Sequence, residues 1–257
     1  MVKSEIYREI GTLILHRPEK RNALNPEMVS AIKTQMRHFE KNDGIRIIRI
    51  KSEGNTFCSG ADLEYLQTMQ SNSLSQNLED SDQLKELFYQ VWNSSKITIA
   101  QIEGFAVAGG AGLSACCDFV FANTSSLFCF SEVKIVFVPA MVMTFLNKKI
   151  GPNKTRELLL TGKMITAEEA KTLHWVNQVY PDNLIEEKVI EFAEEITANC
   201  SPQAIHQTKE MINQLLPLSV ESFLEEASKR NAHARMTKDC KKGLDAFVNK
   251  KQSKWNG

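Results

Sequence analysis

The chain has 257 residues, 42% of them apolar and 24% charged, and its 31 Lys and Arg are balanced by 31 Asp and Glu. That apolar content excludes intrinsic disorder, and the length fits one large domain or one domain with an appendage. Zero net charge gives no global basic surplus for a nucleic-acid partner and leaves little self-repulsion to oppose oligomerisation. No membrane partner is expected either. The longest largely apolar stretch, residues 135–146, falls well short of the about 20 residues that a span needs. The amino-terminal residues run into a strand pattern rather than a signal segment. Six cysteines (Cys58, Cys116, Cys117, Cys129, Cys200 and Cys240) show no CxxC spacing and read as reduced thiols of a cytoplasmic protein.

In chain order, residues 5–10 and 12–16 alternate around Gly11 and predict a β-hairpin. A polar loop follows, and Asn25-Pro26 then marks a helix start with Met28, Ile32, Met36 and Phe39 on one face. Residues 45–50 predict a strand, 52–61 a glycine-containing loop, and the polar stretch 67–80 a mobile loop or lid. A helix over 82–93, a strand over 96–103, a glycine cluster leading into a helix, and strands over 119–122 and 127–130 come next. Thr166 and Glu169 form a capping box. A strand is expected over 176–180, and helices from 185 to the end. Strand–helix alternation argues an α/β class, with a core over 1–199 and a helical region over 200–257.

Three segments carry chemical potential. In Ala108-Gly109-Gly110-Ala111-Gly112 a strand runs into a helix, exposing backbone N–H groups that bind phosphate or a developing oxyanion; the same small residues also permit close helix–strand packing. The cluster lacks the spacing of a dinucleotide fingerprint and the lysine of a P-loop. Gly60-Ala61-Asp62 is a second loop before a helix, which by itself reads as a tight turn with an Asp cap. Glu132 is an isolated carboxylate in an apolar strand-ending segment. Buried, it would serve as an acid or base; exposed, it would pair with Lys134. No Cys/His spacing suggests a metal, and His16, His38, His174, His206 and His233 lie outside all three segments, as surface or packing residues. Cys58 lacks a paired base and reads as packing.

The set of segments, in this order, resembles the crotonase (enoyl-CoA hydratase/isomerase) superfamily over almost the whole chain. The resemblance rests on Arg17-Pro18-Glu19-Lys20-Arg21-Asn22-Ala23-Leu24, on residues 57–63, 103–118 and 132–139, on Leu158-Leu159-Leu160-Thr161-Gly162, and on the tail 243–251. It implies a spiral of ββα units with a helical C-terminal oligomerisation region, assembled as homotrimers or homohexamers. It implies an acyl-CoA thioester as substrate, with coenzyme A as part of that substrate and no separate cofactor. By position, the N–H groups of Ala61 and Gly109 would bind the thioester oxygen, and Glu132 would be the acid/base. Asp62, Leu63 and Glu64 would run beside the thioester and pantetheine, and Lys20, Arg21 and Ala23 would meet the adenine end of coenzyme A.

Hydratases of this superfamily use two glutamates. Here the second matches Glu132, while Gly112 stands at the first position, lining the thioester site without a side chain. Losing a water-positioning group can cost about 100-fold in rate. A single glutamate also suits proton movement between Cα and Cγ, as in Δ3,Δ2-enoyl-CoA isomerases. The segments 108–113, 128–135 and 138–142 resemble a bacterial subgroup assigned to 3-methylglutaconyl-CoA hydration in leucine breakdown. The expectation is therefore an enoyl-CoA hydratase with one glutamate, water being positioned by the substrate's own carboxylate or by a polar residue of 65–80. The isomerase is the second reading, and a non-catalytic acyl-CoA-binding scaffold the alternative from another class. Val136 and Phe137 are bulkier than the usual pattern and would narrow the acyl pocket. Phe223, Leu224, Ala227, Leu244 and Phe247 lie on apolar helix faces suited to an oligomer contact. Lys250, Lys251 and Lys254 would either approach coenzyme A phosphates or stay solvated.

Overall fold

The computed structural model describes residues 1–135, 137–215 and 220–249. Val136, Lys250, Lys251 and Lys254 lie outside them, as do the side chains of Phe223 and Phe247.

Strands β1 (Val2–Tyr7) and β2 (Ile10–Leu15) form an antiparallel hairpin. Its turn falls at Arg8-Glu9 rather than at Gly11, with Arg8 in the left-handed region (φ 53°). Gly11 lies inside β2, where a Cβ would come within 3.0 Å of Ile45 Cδ1 and Phe39 Cδ1. That glycine serves close packing, not the turn. Helix α1 (Pro26–Lys41) starts as its sequence dictates: the Asn25 side chain accepts from Met28 N–H at 2.9 Å, and Pro26 occupies the first turn. Met28, Ile32, Met36 and Phe39 are fully buried, each contributing about 1.5–3 kcal/mol by removal from water.

The chain then repeats one step: a strand in a large sheet, a strand in a small sheet, then helix. The first repeat is β3 (Ile47–Ser52), β4 (Thr56–Cys58), α2 (Leu63–Thr68) and α3 (Leu74–Trp92). The second is β5 (Ile97–Ile102), β6 (Phe105–Val107) and α4 (Gly109–Cys116). The third is β7 (Phe119–Asn123), β8 (Leu127–Cys129) and α5 (Ala140–Thr161), which bends at Gly151. Strand β9 (Met164–Thr166), helix α6 (Ala167–Thr172) and strand β10 (Gln178–Tyr180) complete the sheets. The large sheet has the order β1-β2-β3-β5-β7-β10 and the small one β4-β6-β8-β9. This is the α/β spiral of ββα units expected from the sequence. Strand β5 is buried at all six positions, as befits a parallel strand covered on both faces.

Helices α1, α3, α4 and α5 pack on one side of the large sheet. On the other, α7 (Ile185–Asn199) places Ile185, Val189 and Ala193 against Ile10, Ile47, Ile99 and Phe121. Helix α8 (Pro202–Leu215) is anchored by Lys209, whose Nζ donates to Asp118 Oδ2 at 2.6 Å and to Lys96 O at 2.8 Å. Helices α9 (Val220–Met236) and α10 (Lys238–Val248) follow, with Leu224 and Leu244 more than half exposed.

The stretch 67–80 differs from its expected loop. It is helical from Leu63 to Ser71 and again from Leu74, where Ser73 and Gln76 form a capping box. Polar composition disguises a helix whose buried face begins only later, at Leu87, Phe88 and Val91.

Candidate active site

Strands β4, β6 and β8 run parallel side by side, so their carboxyl ends share one edge, where ligands gather in parallel α/β sheets. The chain leaves that edge through residues 59–62, 108–109 and 130–132. The three segments singled out in the sequence are therefore brought together.

The first loop is shaped from outside. Leu24 pairs with Ala61 in a parallel bridge: Leu24 N–H donates to Gly60 O at 2.7 Å, and Asp62 N–H donates to Leu24 O at 2.9 Å. Between two such bonds, the intervening residue turns its own N–H to the opposite side. Ala61 N–H thus points away from the loop that holds it. Gly60 (φ +87°) lets this loop abut the next one; a Cβ there would lie 2.7 Å from Ala108 Cβ and 3.1 Å from Gly109 N.

Gly109 is the first residue of α4, so its N–H has no acceptor within the helix and lies at the positive end of the helix dipole. Ala108 before it has φ 50° and ψ −123°, a conformation costing a non-glycine residue on the order of 1–3 kcal/mol. Two bonds hold the strain: Ala108 N–H donates to Cys129 O at 2.7 Å, and Gly112 N–H donates to Ala108 O at 2.9 Å. Nothing in the composition of the segment marked Ala108 for this role, because its torsion is imposed by β8.

Glu132 opens a 3-10 turn (Glu132–Ile135) just beyond β8. Its Oε2 is sealed from solvent and has no hydrogen-bond partner among the described residues. Burial pushes the carboxyl above its ordinary pKa, and its own backbone N–H offsets only part of that rise. Lys134 is exposed and forms no ion pair with it among the described residues. A carboxylate with one oxygen sealed and unpartnered, on the loop that follows β8, next to loops in which the N–H groups of Ala61 and Gly109 have no acceptor among the described residues, can take and return a proton where negative charge develops.

Other sequence-predicted residues divide. Lys20 Nζ and Glu64 Oε1 pair at 2.5 Å, joining the loop of residues 17–24 to the start of α2. Arg21 and Leu63 are exposed, whereas Ala23 is buried and can offer a ligand only its backbone. Asp62 is 6% exposed, and its carboxylate serves the protein: it caps α2 through Glu64 N–H (3.0 Å) and Tyr65 N–H (3.3 Å) and pairs with Arg17 (2.6 Å). Gly112 departs from the expectation that it lines the thioester site. It is buried, and a Cβ there would lie 2.0 Å from Val142 Cγ1 and 3.7 Å from Phe88 Cζ. The space above it holds an apolar side chain. Cys58 is buried, its thiol pushed up to about 12 by desolvation, in keeping with packing. Sequence reasoning missed Arg17 and Val142 as site residues. Arg17 belongs to the loop motif 17–24, but its partner is 45 residues away.

Residues 5–257 match the family described as enoyl-CoA hydratase/isomerase. A Thermus thermophilus relative, provisionally assigned as an enoyl-CoA hydratase, is 35% identical over 242 residues, covering 94% of this chain and 95% of its own. The mitochondrial enoyl-CoA hydratase of Pongo abelii is 27% identical, covering 95% of this chain and 82% of its own. Among solved structures, an enoyl-CoA hydratase from Shewanella pealeana superposes with a TM-score of 0.94 at 27% identity, covering 99% of this chain and 95% of that one.

Proposed function

The chain belongs to the enoyl-CoA hydratase/isomerase family, and from that premise we propose that it hydrates a 2-enoyl-CoA thioester with Glu132 as its single acid/base. The observation that carries this reading is Glu132 Oε2, buried without a partner among the described residues at the sheet edge where the loops of Ala61 and Gly109 meet. In the reaction, the thioester oxygen accepts from Ala61 N–H and Gly109 N–H. The carboxylate of Glu132 removes a proton from water as the water oxygen bonds to Cβ, and electron density moves to the thioester oxygen as an enolate. Glu132, now protonated, returns that proton to Cα, so one water is consumed and the carboxylate is restored. Each oxyanion donor supplies about 100–1,000-fold in rate. Lys20, Arg21 and Ala23 flank the loop of Ala61 and are assigned to the coenzyme A end. Exposed Leu224 and Leu244 support self-association through the C-terminal helices, as a homotrimer or a pair of trimers.

With Val142 over Gly112, this chain offers water no second carboxylate at that place. We assign the positioning of water to a carboxylate on the substrate itself, which makes 3-methylglutaconyl-CoA the preferred acyl group. Tyr65 is less suited, because its hydroxyl already donates to Asp80 Oδ1 at 2.7 Å. The same observation favours a second reading, double-bond migration: Glu132 would carry a proton between Cα and Cγ against an apolar wall, with no water consumed. Incubation of 3-methylglutaconyl-CoA, crotonyl-CoA and a 3-enoyl-CoA in 18O-labelled water separates the two. The expected result is a labelled hydroxyacyl product, formed faster from 3-methylglutaconyl-CoA than from crotonyl-CoA. Equal turnover of the two would reject the substrate-carboxylate idea. A shifted, unlabelled enoyl product from the 3-enoyl-CoA alone would establish the second reading.

A further inference from the structure

Asp62 sets a problem for oxyanion chemistry. It is a buried carboxylate one residue beyond Ala61, and an uncompensated negative charge there would oppose the enolate that the Ala61 amide is assigned to bind. The structure answers with Arg17. Its Nη1 donates to Asp62 Oδ2 at 2.6 Å, with the two side chains 13% and 7% exposed. Burial alone would raise the Asp62 carboxyl, but Arg17 and the amides of Tyr65 and Glu64 outweigh it and hold the group below the usual carboxylate range.

Arg17 is itself fixed. Its backbone N–H donates to Asn22 Oδ1 at 2.8 Å, while Asn22 Nδ2 donates to Glu53 O and Thr56 O at 2.9 and 2.7 Å. Asn22 is fully buried and ties this loop to the start of β4. A rigid strut therefore runs from β4 through Asn22 and Arg17 to Asp62, and from Asp62 into the first turn of α2. Ala61 lies between the two backbone bonds to Leu24 at the end of that strut.

We propose that Arg17 is a positioning residue for the oxyanion site: through Asp62 it aims the Ala61 amide and neutralises the charge beside it, without touching the thioester. The inference rests on the assignment of Ala61 as an oxyanion donor. It separates two quantities that a merely structural role would move together. Binding of a saturated thioester depends little on one well-aimed amide, whereas stabilisation of an enolate depends on it strongly.

The test uses the full chain as wild type, Arg17→Lys, Arg17→Met and Arg17→Met/Asp62→Asn. The probes are butyryl-CoA for ground-state affinity and acetoacetyl-CoA, whose enolate absorbs in the near ultraviolet. Thermal melting identifies variants that remain folded. In Arg17→Met, kcat and the enolised fraction of bound acetoacetyl-CoA are expected to fall by about 10–100-fold, with butyryl-CoA affinity within about twofold. Arg17→Lys keeps the charge and should recover part of both losses. The double variant removes the charge pair but keeps a capping oxygen, and should enolise better than Arg17→Met. If Arg17→Met does not fold, the comparison of Arg17→Lys and the double variant with wild type decides: enolisation equal to wild type in both overturns the proposal. An unchanged enolate fraction in a folded Arg17→Met, or a loss of butyryl-CoA affinity that matches the loss of kcat/KM, also overturns it. A wild-type protein that binds acetoacetyl-CoA without enolising it would instead remove the oxyanion assignment of Ala61 itself.

Discussion

Glu132→Gln is expected to lower turnover by at least about 100-fold and, at neutral pH, to raise the melting temperature. Both effects come from the same atom. Glutamine keeps the shape of the side chain but cannot take a proton from water or from carbon. It also removes a desolvated charge, because Glu132 Oε2 has neither solvent nor a partner among the described residues. The pH dependence follows by linkage. Burial places the folded-state pKa above the unfolded one, so the folded protein holds this proton more tightly than the unfolded chain. As pH rises from the ordinary glutamate value through the raised folded value, the wild-type chain loses stability that Glu132→Gln does not lose. The gap in melting temperature between the two should be fully open above that window and close below it. Acid/base catalysis by the ionised form should appear across the same window, kcat/KM rising with pH through a midpoint above the usual carboxylate range. A variant with wild-type turnover would leave this site a binding role only. Equal melting temperatures at every pH would mean that the carboxyl is solvated after all. The expected trade of stability for activity is common where a site keeps a group that the fold would rather exclude.

Much of this arrangement is legible in the residues themselves. Asn25-Pro26 and Thr166/Glu169 mark helix starts by local hydrogen bonding, and both form as read. The alternation of strand and helix is legible, but the short second strands β4 and β6 are not: three residues each, they fall in stretches read as a loop and a glycine cluster, and pairing with a neighbouring strand is what makes them strands. The glycine cluster and Glu132 stand out as local anomalies, amides before a helix and a lone acid in an apolar run, whereas the loop around Ala61 reads by itself as a capped turn and gains its expected role only from the resemblance of the whole set. What local pattern cannot supply is partnership at a distance. Gly11 looks like a turn residue, yet its missing side chain answers to Ile45 and Phe39, and the turn goes to Arg8, whose left-handed torsion no propensity favours. Residues 67–80 look like a loop because their apolar face is sparse, while the signal that mattered was the Ser73/Gln76 cap. Arg17 is only the first residue of a loop motif until Asp62 is placed beside it. Val142 is only the last residue of the segment 138–142 until Gly112 is seen beneath it.

That last pair yields the second large expected effect. The absence of a carboxylate at position 112 invites its restoration, but Gly112→Glu alone should fail. A Cβ at 112 would sit 2.0 Å from Val142 Cγ1 and 2.9 Å from Val142 Cβ. Val142 is 4% exposed and belongs to the main core. Its branched side chain has few rotamers on a helix and cannot swing clear. Overpacking of this kind costs about 1–3 kcal/mol, and a carboxylate buried without a partner adds to it. A total on the order of 3–5 kcal/mol would lower the melting temperature by roughly 6–20 °C for a chain of this size. Val142→Ala alone should cost less, about 0.5–2 kcal/mol, by opening a small cavity. The double variant Gly112→Glu/Val142→Ala should then be more stable than the sum of the single losses by at least about 1 kcal/mol, because the cavity made by one change receives the side chain added by the other. Thermal melting of the four proteins measures this coupling, and strict additivity would show that the two positions do not compete for one space. The chemical consequence is read separately, in the products. With an apolar wall replaced by a carboxylate, water gains a partner that crotonyl-CoA cannot itself provide. Hydration of crotonyl-CoA should therefore rise relative to that of 3-methylglutaconyl-CoA in the double variant, narrowing a preference that in the parent chain depends on the substrate bringing its own acid.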